Sequence, residues 1–152
     1  MKRILREVQE ASSLFHITAI SDYLYRVELL GPADSLYKDV NITLYYKYKK
    51  DHPFSFPVIF FRPILFHPNV DENGILRIPA LDRSPAETLL SDLLTVVLLL
   101  HEPHICEIAS SEKGKEEIQA GYEQESANMH ALHLWKNNKE EFKSLIYSSL
   151  FP

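Results

Sequence analysis

Cysteine is nearly absent from this 152-residue sequence, which contains one, Cys106. A single thiol excludes an intramolecular disulfide framework and any zinc site built on several cysteines, and it suits a reducing compartment, cytoplasmic or nuclear. Positive charge is also in deficit: 16 Lys and Arg stand against 21 Asp and Glu, for a net charge of -5. The basic residues gather only in short runs such as Lys47, Lys49 and Lys50. Phosphate neutralisation needs a basic face, so no nucleic acid is expected as a general partner, and proteins are. No apolar run approaches the ~20 residues that a membrane span requires. The longest, Leu93 to Leu100, is interrupted by Thr95 and reads as buried core. Met1 to Glu7 are charged where a secretory signal would be apolar, so secretion is not expected. His101, His104, His130 and His133 come without matching cysteines or a His-Glu-x-x-His pattern, so neither a metal nor another cofactor is expected.

What remains has the profile of one globular domain, 45% hydrophobic and 24% charged. A chain of this size buries roughly 70% of its unfolded surface and needs no staple. Residues Lys2 to Ala11 place Ile4, Leu5 and Val8 on one side among Arg3, Arg6, Glu7 and Glu10, the spacing of a short amphipathic helix. From Phe15 to Tyr48 the period becomes two: Tyr23, Tyr25, Val27 and Leu29 alternate with other residues, as do Val40, Ile42, Leu44, Tyr46 and Tyr48. This predicts antiparallel strands joined by a turn at Gly31-Pro32-Ala33-Asp34-Ser35. After a break from Asp51 to Pro57, Val58 to Phe61 predicts a fourth short strand, at which the sheet is expected to stop. Pro63 to Asp82 reads as an ordered, irregular loop, the kind of segment that carries function.

Ser84-Pro85-Ala86-Glu87 carries a helix-start signal, with Ser84 as cap and Pro85 at the first helical position. The helix that follows is apolar nearly all round, which predicts a central, buried helix ending near Glu102-Pro103. Residues Ile105 to Glu125 read as a polar, solvated insertion at about 105-125. Ala127 to Leu150 regains helical spacing through Met129, Leu132, Leu134 and Trp135, then Phe142, Leu145 and Ile146, which predicts two terminal helices. The reading is α+β, with a four-stranded antiparallel meander sheet, in one domain over 1-152.

Several segments resemble the ubiquitin-conjugating (UBC) family in the right order. Gly31-Pro32-Ala33-Asp34-Ser35-Leu36-Tyr37 is similar to its Gly-Pro-x-Asp-Ser-x-Tyr turn, and Pro53-Phe54-Ser55-Phe56-Pro57 to its Pro-Phe-x-x-Pro loop. His67-Pro68-Asn69 resembles its structural His-Pro-Asn motif, and Ser84-Pro85 its Ser-Pro pair. Ser126-Ala127-Asn128 with Ala131, Asn138, Glu141 and Phe142 resembles its carboxyl-terminal pattern. Counted from Gly74, the family's Gly-x-Ile/Val-Cys-Leu pattern meets Gly74-Ile75-Leu76-Arg77-Ile78, so Arg77 falls on the position of the active cysteine. The family's chemistry needs a thiolate that accepts the carboxyl terminus of ubiquitin as a thioester. A guanidinium stays protonated to above pH ~12 and has no lone pair to offer.

The resemblance therefore implies an inactive variant of the UEV kind, a pseudoenzyme that acts by protein binding. Asn69, which matches an asparagine linked to oxyanion stabilisation, is vestigial on this reading. Phe54, Pro85, Arg3 and Arg6 fall on the family's ligase-contacting patch, although Phe54 and Phe56 read equally as core anchors. The partners implied are an active ubiquitin-conjugating enzyme, a ubiquitin ligase or ubiquitin. Two alternatives stand beside this reading. One is a structural adaptor unrelated to ubiquitin transfer, like the fused-toes group, which Phe66-His67-Pro68 with Val70-Asp71 also resembles. The other is an active enzyme with Cys106 as a relocated nucleophile and Glu107 as its polarising neighbour.

Overall fold

A computed structural model describes residues 1–77, 84–103 and 127–150. Helix α1 (Lys2–Ala11) leads into strands β1 (His16–Ala19), β2 (Leu24–Leu30), β3 (Asn41–Lys47) and β4 (Val58–Phe61). Helix α2 (Leu89–His101) follows, then α3 (Met129–Asn137) and α4 (Lys139–Leu150). The strands form one antiparallel sheet in the order β1-β2-β3-β4, the expected meander.

Register follows from the period-two pattern. Val27 pairs with Leu44 and Leu44 with Phe61, so these side chains share the inner face with Tyr25, Ile42 and Tyr46, all buried. Across this face lies α2, joined to the sheet by a hydrogen bond from Tyr46 Oη to Asp92. The turn between β2 and β3 closes tightly on a glycine. The Gly31 N–H donates to Val40 O at 2.8 Å, and a Cβ at Gly31 would stand 1.7 Å from the Tyr37 carbonyl oxygen, so no other residue fits there.

The sheet ends at β4 as expected, but its outer edge does not stand alone. Phe60 bridges to Ile75, and Val70 to Leu76, so part of the loop after β4 folds back along the sheet edge. The start of α2 also differs from expectation. Thr88 caps it, with a reciprocal Thr88–Ser91 capping box. Ser84 instead opens a turn, its Oγ accepting the Ala86 N–H at 3.1 Å and its carbonyl the Glu87 N–H at 3.0 Å. The same Ser chemistry caps a turn or a helix, and here the turn wins because Arg3 of α1 donates to the carbonyls of Pro85 and Glu87, which a helix would use itself.

Nor is α2 buried all round. Leu89, Leu93, Val96, Leu99 and Leu100 are buried, while Leu94 and Leu98 face outward. A single sheet covers only one side of a helix, so the pattern of leucines overstated the burial. In α1 the two faces are reassigned at one position each: Leu5 is exposed and Glu7 is buried. Phe142 of α4 closes the core, edge-on to Tyr37 and tilted against Phe66, with ring centroids 6.0 and 5.0 Å away.

Candidate functional site

The segment from His67 to Arg77 is built on one buried histidine. His67 stacks on Tyr37 at 5.8 Å. Its Nε2 donates to Leu99 O of α2 at 2.6 Å, and its Nδ1 accepts the Asn69 N–H at 2.9 Å. Both ring nitrogens are used by the neutral ring. Burial pushes the imidazole pKa down from its ordinary 6.5 to about 4, against the opposing effect of the Leu99 carbonyl. His67 thus holds the loop against α2, and the Asn128 N–H ahead of α3 donates to Pro68 O at 3.0 Å, tying the terminal helices to the same loop.

Asp71 organises the turn that carries the chain to Arg77. Its Oδ1 accepts the N–H groups of Asn73 and Ile75, both at 2.9 Å, and its Oδ2 accepts Arg77 Nε at 3.0 Å. Burial by itself would raise the Asp71 pKa, but the Ile75 N–H and the Arg77 guanidinium outweigh it and hold the carboxyl below its ordinary range. Gly74 makes the reversal with φ +82, and a side chain there would collide with Arg62 and the Phe61 carbonyl. The returning segment is then pinned to β4 by the Leu76 N–H, which donates to Ile59 O at 2.8 Å.

Asn69 and Arg77 meet at the end of this turn. The Arg77 N–H donates to Asn69 O at 2.6 Å, and Asn69 Nδ2 lies 3.4 Å from Arg77 O. Asn69 is fully buried, whereas the Arg77 side chain is 61% exposed. What the solvent meets at the tip is therefore an ion pair, Arg77 with Asp71, over a buried amide. Such a site can bind or position; the guanidinium, already matched to a carboxylate, cannot attack an acyl group.

A second cluster joins the residues of the expected partner face. Glu7, buried in α1, accepts Arg3 Nε at 2.9 Å, His52 Nε2 at 2.6 Å, the Leu89 N–H at 2.8 Å and Tyr48 Oη at 3.3 Å. Burial alone would raise its pKa, but His52, Arg3 and Leu89 together hold it below the ordinary 4.5. One carboxylate thus ties α1 to the loop after β3 and to the start of α2. Arg3 extends the junction to Pro85, while Phe54 stands on the adjoining loop, 80% exposed, with Phe56 at 44%. Neither phenylalanine is a core anchor. Arg6 and Pro85 are exposed as well.

Sequence reasoning missed Glu7, although a signal existed: positions 4, 7, 8 and 11 form one helical stripe, so Glu7 sits among Ile4, Val8 and Ala11. Cys106, Glu107, His104 and the insertion at 105-125 lie outside the described residues. Among the described residues no helix is long and apolar enough to cross a membrane, and no cluster of His, Cys, Asp and Glu could hold a metal.

A meander sheet with a helix before it, a buried helix across it and a His-Pro-Asn loop at its edge defines a UBC-type α+β domain. The model of the family described as ubiquitin-conjugating enzyme matches residues 3–123, and the chain belongs to that family. Members of this family are normally enzymes of ubiquitin conjugation, and their domains interact with ubiquitin and with ligases.

Proposed function

We propose that this chain is a non-catalytic member of the ubiquitin-conjugating family, working in the cytosol or nucleus by binding proteins rather than by carrying an acyl group. Its role is that of a cofactor for an active conjugating enzyme, or of a ubiquitin-binding module, supplying proximity in place of chemistry. The observation that carries this reading is Arg77. It stands where the family pattern has its cysteine, paired with Asp71 and clamped by its backbone to Asn69. Asn69, with its amide turned to a backbone carbonyl, keeps the role of ordering the loop. Phe54, Pro85, Arg3 and Arg6 then supply the face for a ligase or other partner, with Arg3 bonded to Glu7 and to the Pro85 carbonyl, and His52, on the loop of Phe54, bonded to the same carboxylate.

A binding titration tests this. Isotope-labelled ubiquitin, and separately an active conjugating enzyme, are titrated with the protein and followed by NMR shift perturbation. The expected outcome is saturable binding of at least one, with a Kd on the order of micromolar to hundreds of micromolar, as transient signalling contacts show. No response from either at millimolar protein would favour an adaptor outside ubiquitin transfer.

A further inference from the structure

Far from the Arg77 loop in sequence, the turn before β3 and the α3–α4 junction enclose a groove of about 390 Å³. Leu36 and Trp135, both half-buried, provide its apolar lining. Around them stand three exposed lysines, Lys38, Lys139 and Lys143, against one carboxylate, Asp34. In a chain whose net charge is -5 this is a local reversal of sign. One of the lysines is already placed: Lys139 Nζ lies 4.9 Å from the centroid of the Trp135 ring, so its charge is held over the aromatic face rather than sweeping through solvent.

We propose that this groove takes an acidic peptide segment of a partner protein, with an apolar side chain set against Trp135 and Leu36 and carboxylates paired with the lysines. The inference goes beyond the reading of the Arg77 site and does not depend on it. Charge complementarity selects the partner. A polyanion such as a nucleic-acid duplex is disfavoured, because three lysines in one short groove with Asp34 beside them do not make the continuous basic face that a phosphate backbone requires. The lysines are exposed, so each contributes little. The affinity is accordingly modest, with a Kd on the order of 10⁻⁴ M, and it weakens as salt screens the pairs.

The sequence holds one tryptophan, so intrinsic fluorescence reports on this groove directly. The probe is a blocked heptapeptide, Glu-Asp-Leu-Glu-Phe-Asp-Glu, beside its Gln and Asn analogue, with inorganic tripolyphosphate as a small-anion control. The acidic peptide is expected to change the Trp135 emission saturably, and the neutral analogue to bind at least ~10-fold more weakly. The double variant Lys38→Glu/Lys143→Glu, with an unchanged melting temperature, should lose at least ~10-fold in affinity for the acidic peptide. Lys47→Glu, on β3, should lose none. These magnitudes correspond to the loss of two or three charge pairs. Equal binding of the neutral peptide, or no effect of the double variant, would overturn the proposal. So would tripolyphosphate matching the peptide in affinity and displacing it, which would make the groove a small-anion site. Each of these three failures leaves the titration of ubiquitin and conjugating enzyme unaffected, since that experiment reads a different property.

Discussion

Glu7→Ala should cost the domain about 3–5 kcal/mol, measured as the loss in unfolding free energy by urea titration, because it removes one partner of a buried ionic junction and strands the others. Arg3, His52, Tyr48 and the Leu89 N–H all meet this carboxylate. Removing it leaves four donors without their acceptor, two of them at the start of α2 and the end of β3, where water has little access. Against a total stability of about 5–15 kcal/mol for a typical domain, this is a large fraction. Glu7→Gln keeps the shape and one acceptor oxygen and should cost less, about 1.5–3 kcal/mol, the range for hydrogen bonds to charged groups. The dependence on pH has a definite sign. Because the carboxyl is held below its ordinary 4.5 in the fold, its contribution is present above that value and is lost as pH falls through the lower, folded one. A loss under 1 kcal/mol for Glu7→Ala would mean that α1, the Phe54 loop and α2 are held together by apolar packing alone.

His67 produces the second large effect, in a different pH window. The folded imidazole titrates at about 4 and the unfolded one at 6.5, so between these values the unfolded chain binds more protons. Stability from this group is therefore complete above pH 6.5 and declines as pH falls toward 4, by about 3 kcal/mol in all. His67→Gln removes the titration. It also weakens the links to Leu99 and Asn69, so the variant should be less stable at neutral pH by about 1–3 kcal/mol. The gap between the two proteins should then close as pH falls from neutral to 4, because only the unsubstituted chain has an imidazole that takes up a proton when unfolded and stays neutral when folded. Parallel stability curves for the two proteins would show that His67 does not titrate in this range. The ring position matters to the site: a protonated His67 cannot accept the N–H of Asn69, the residue whose carbonyl accepts the Arg77 N–H.

The strands and their order were legible because an antiparallel sheet with one buried face imposes a period of two, and Tyr25, Val27, Ile42, Leu44 and Tyr46 obey it without exception. The place of Arg77 against the family's cysteine pattern is a count from Gly74 that uses no tertiary information. The pairing of Arg77 with Asp71 was not legible, because six residues of sequence separation become 3.0 Å only through a turn with positive φ at Gly74. The helix start was misplaced for a related reason. Ser84-Pro85 is the stronger local signal, but Arg3, 82 residues before Pro85, claims the carbonyls of that turn and moves the cap to Thr88. Glu7 and Leu5 exchanged roles because a charged residue on an apolar stripe is read as surface unless its partners are known, and apart from Arg3 these come from two distant segments, the loop after β3 and the start of α2. The lysine groove, assembled from the β2–β3 turn and the final helices, had no linear signature at all.

Charging the protein is the most direct test of the central claim, that binding replaces acyl transfer. Activating enzyme, ATP and ubiquitin are incubated with the protein and with Cys106→Ala, and the products are separated on a non-reducing gel. The account predicts no thiol-sensitive adduct on either protein. A band on the unsubstituted protein that thiol removes, and that is missing from Cys106→Ala, would contradict it and make Cys106 the nucleophile of an active enzyme.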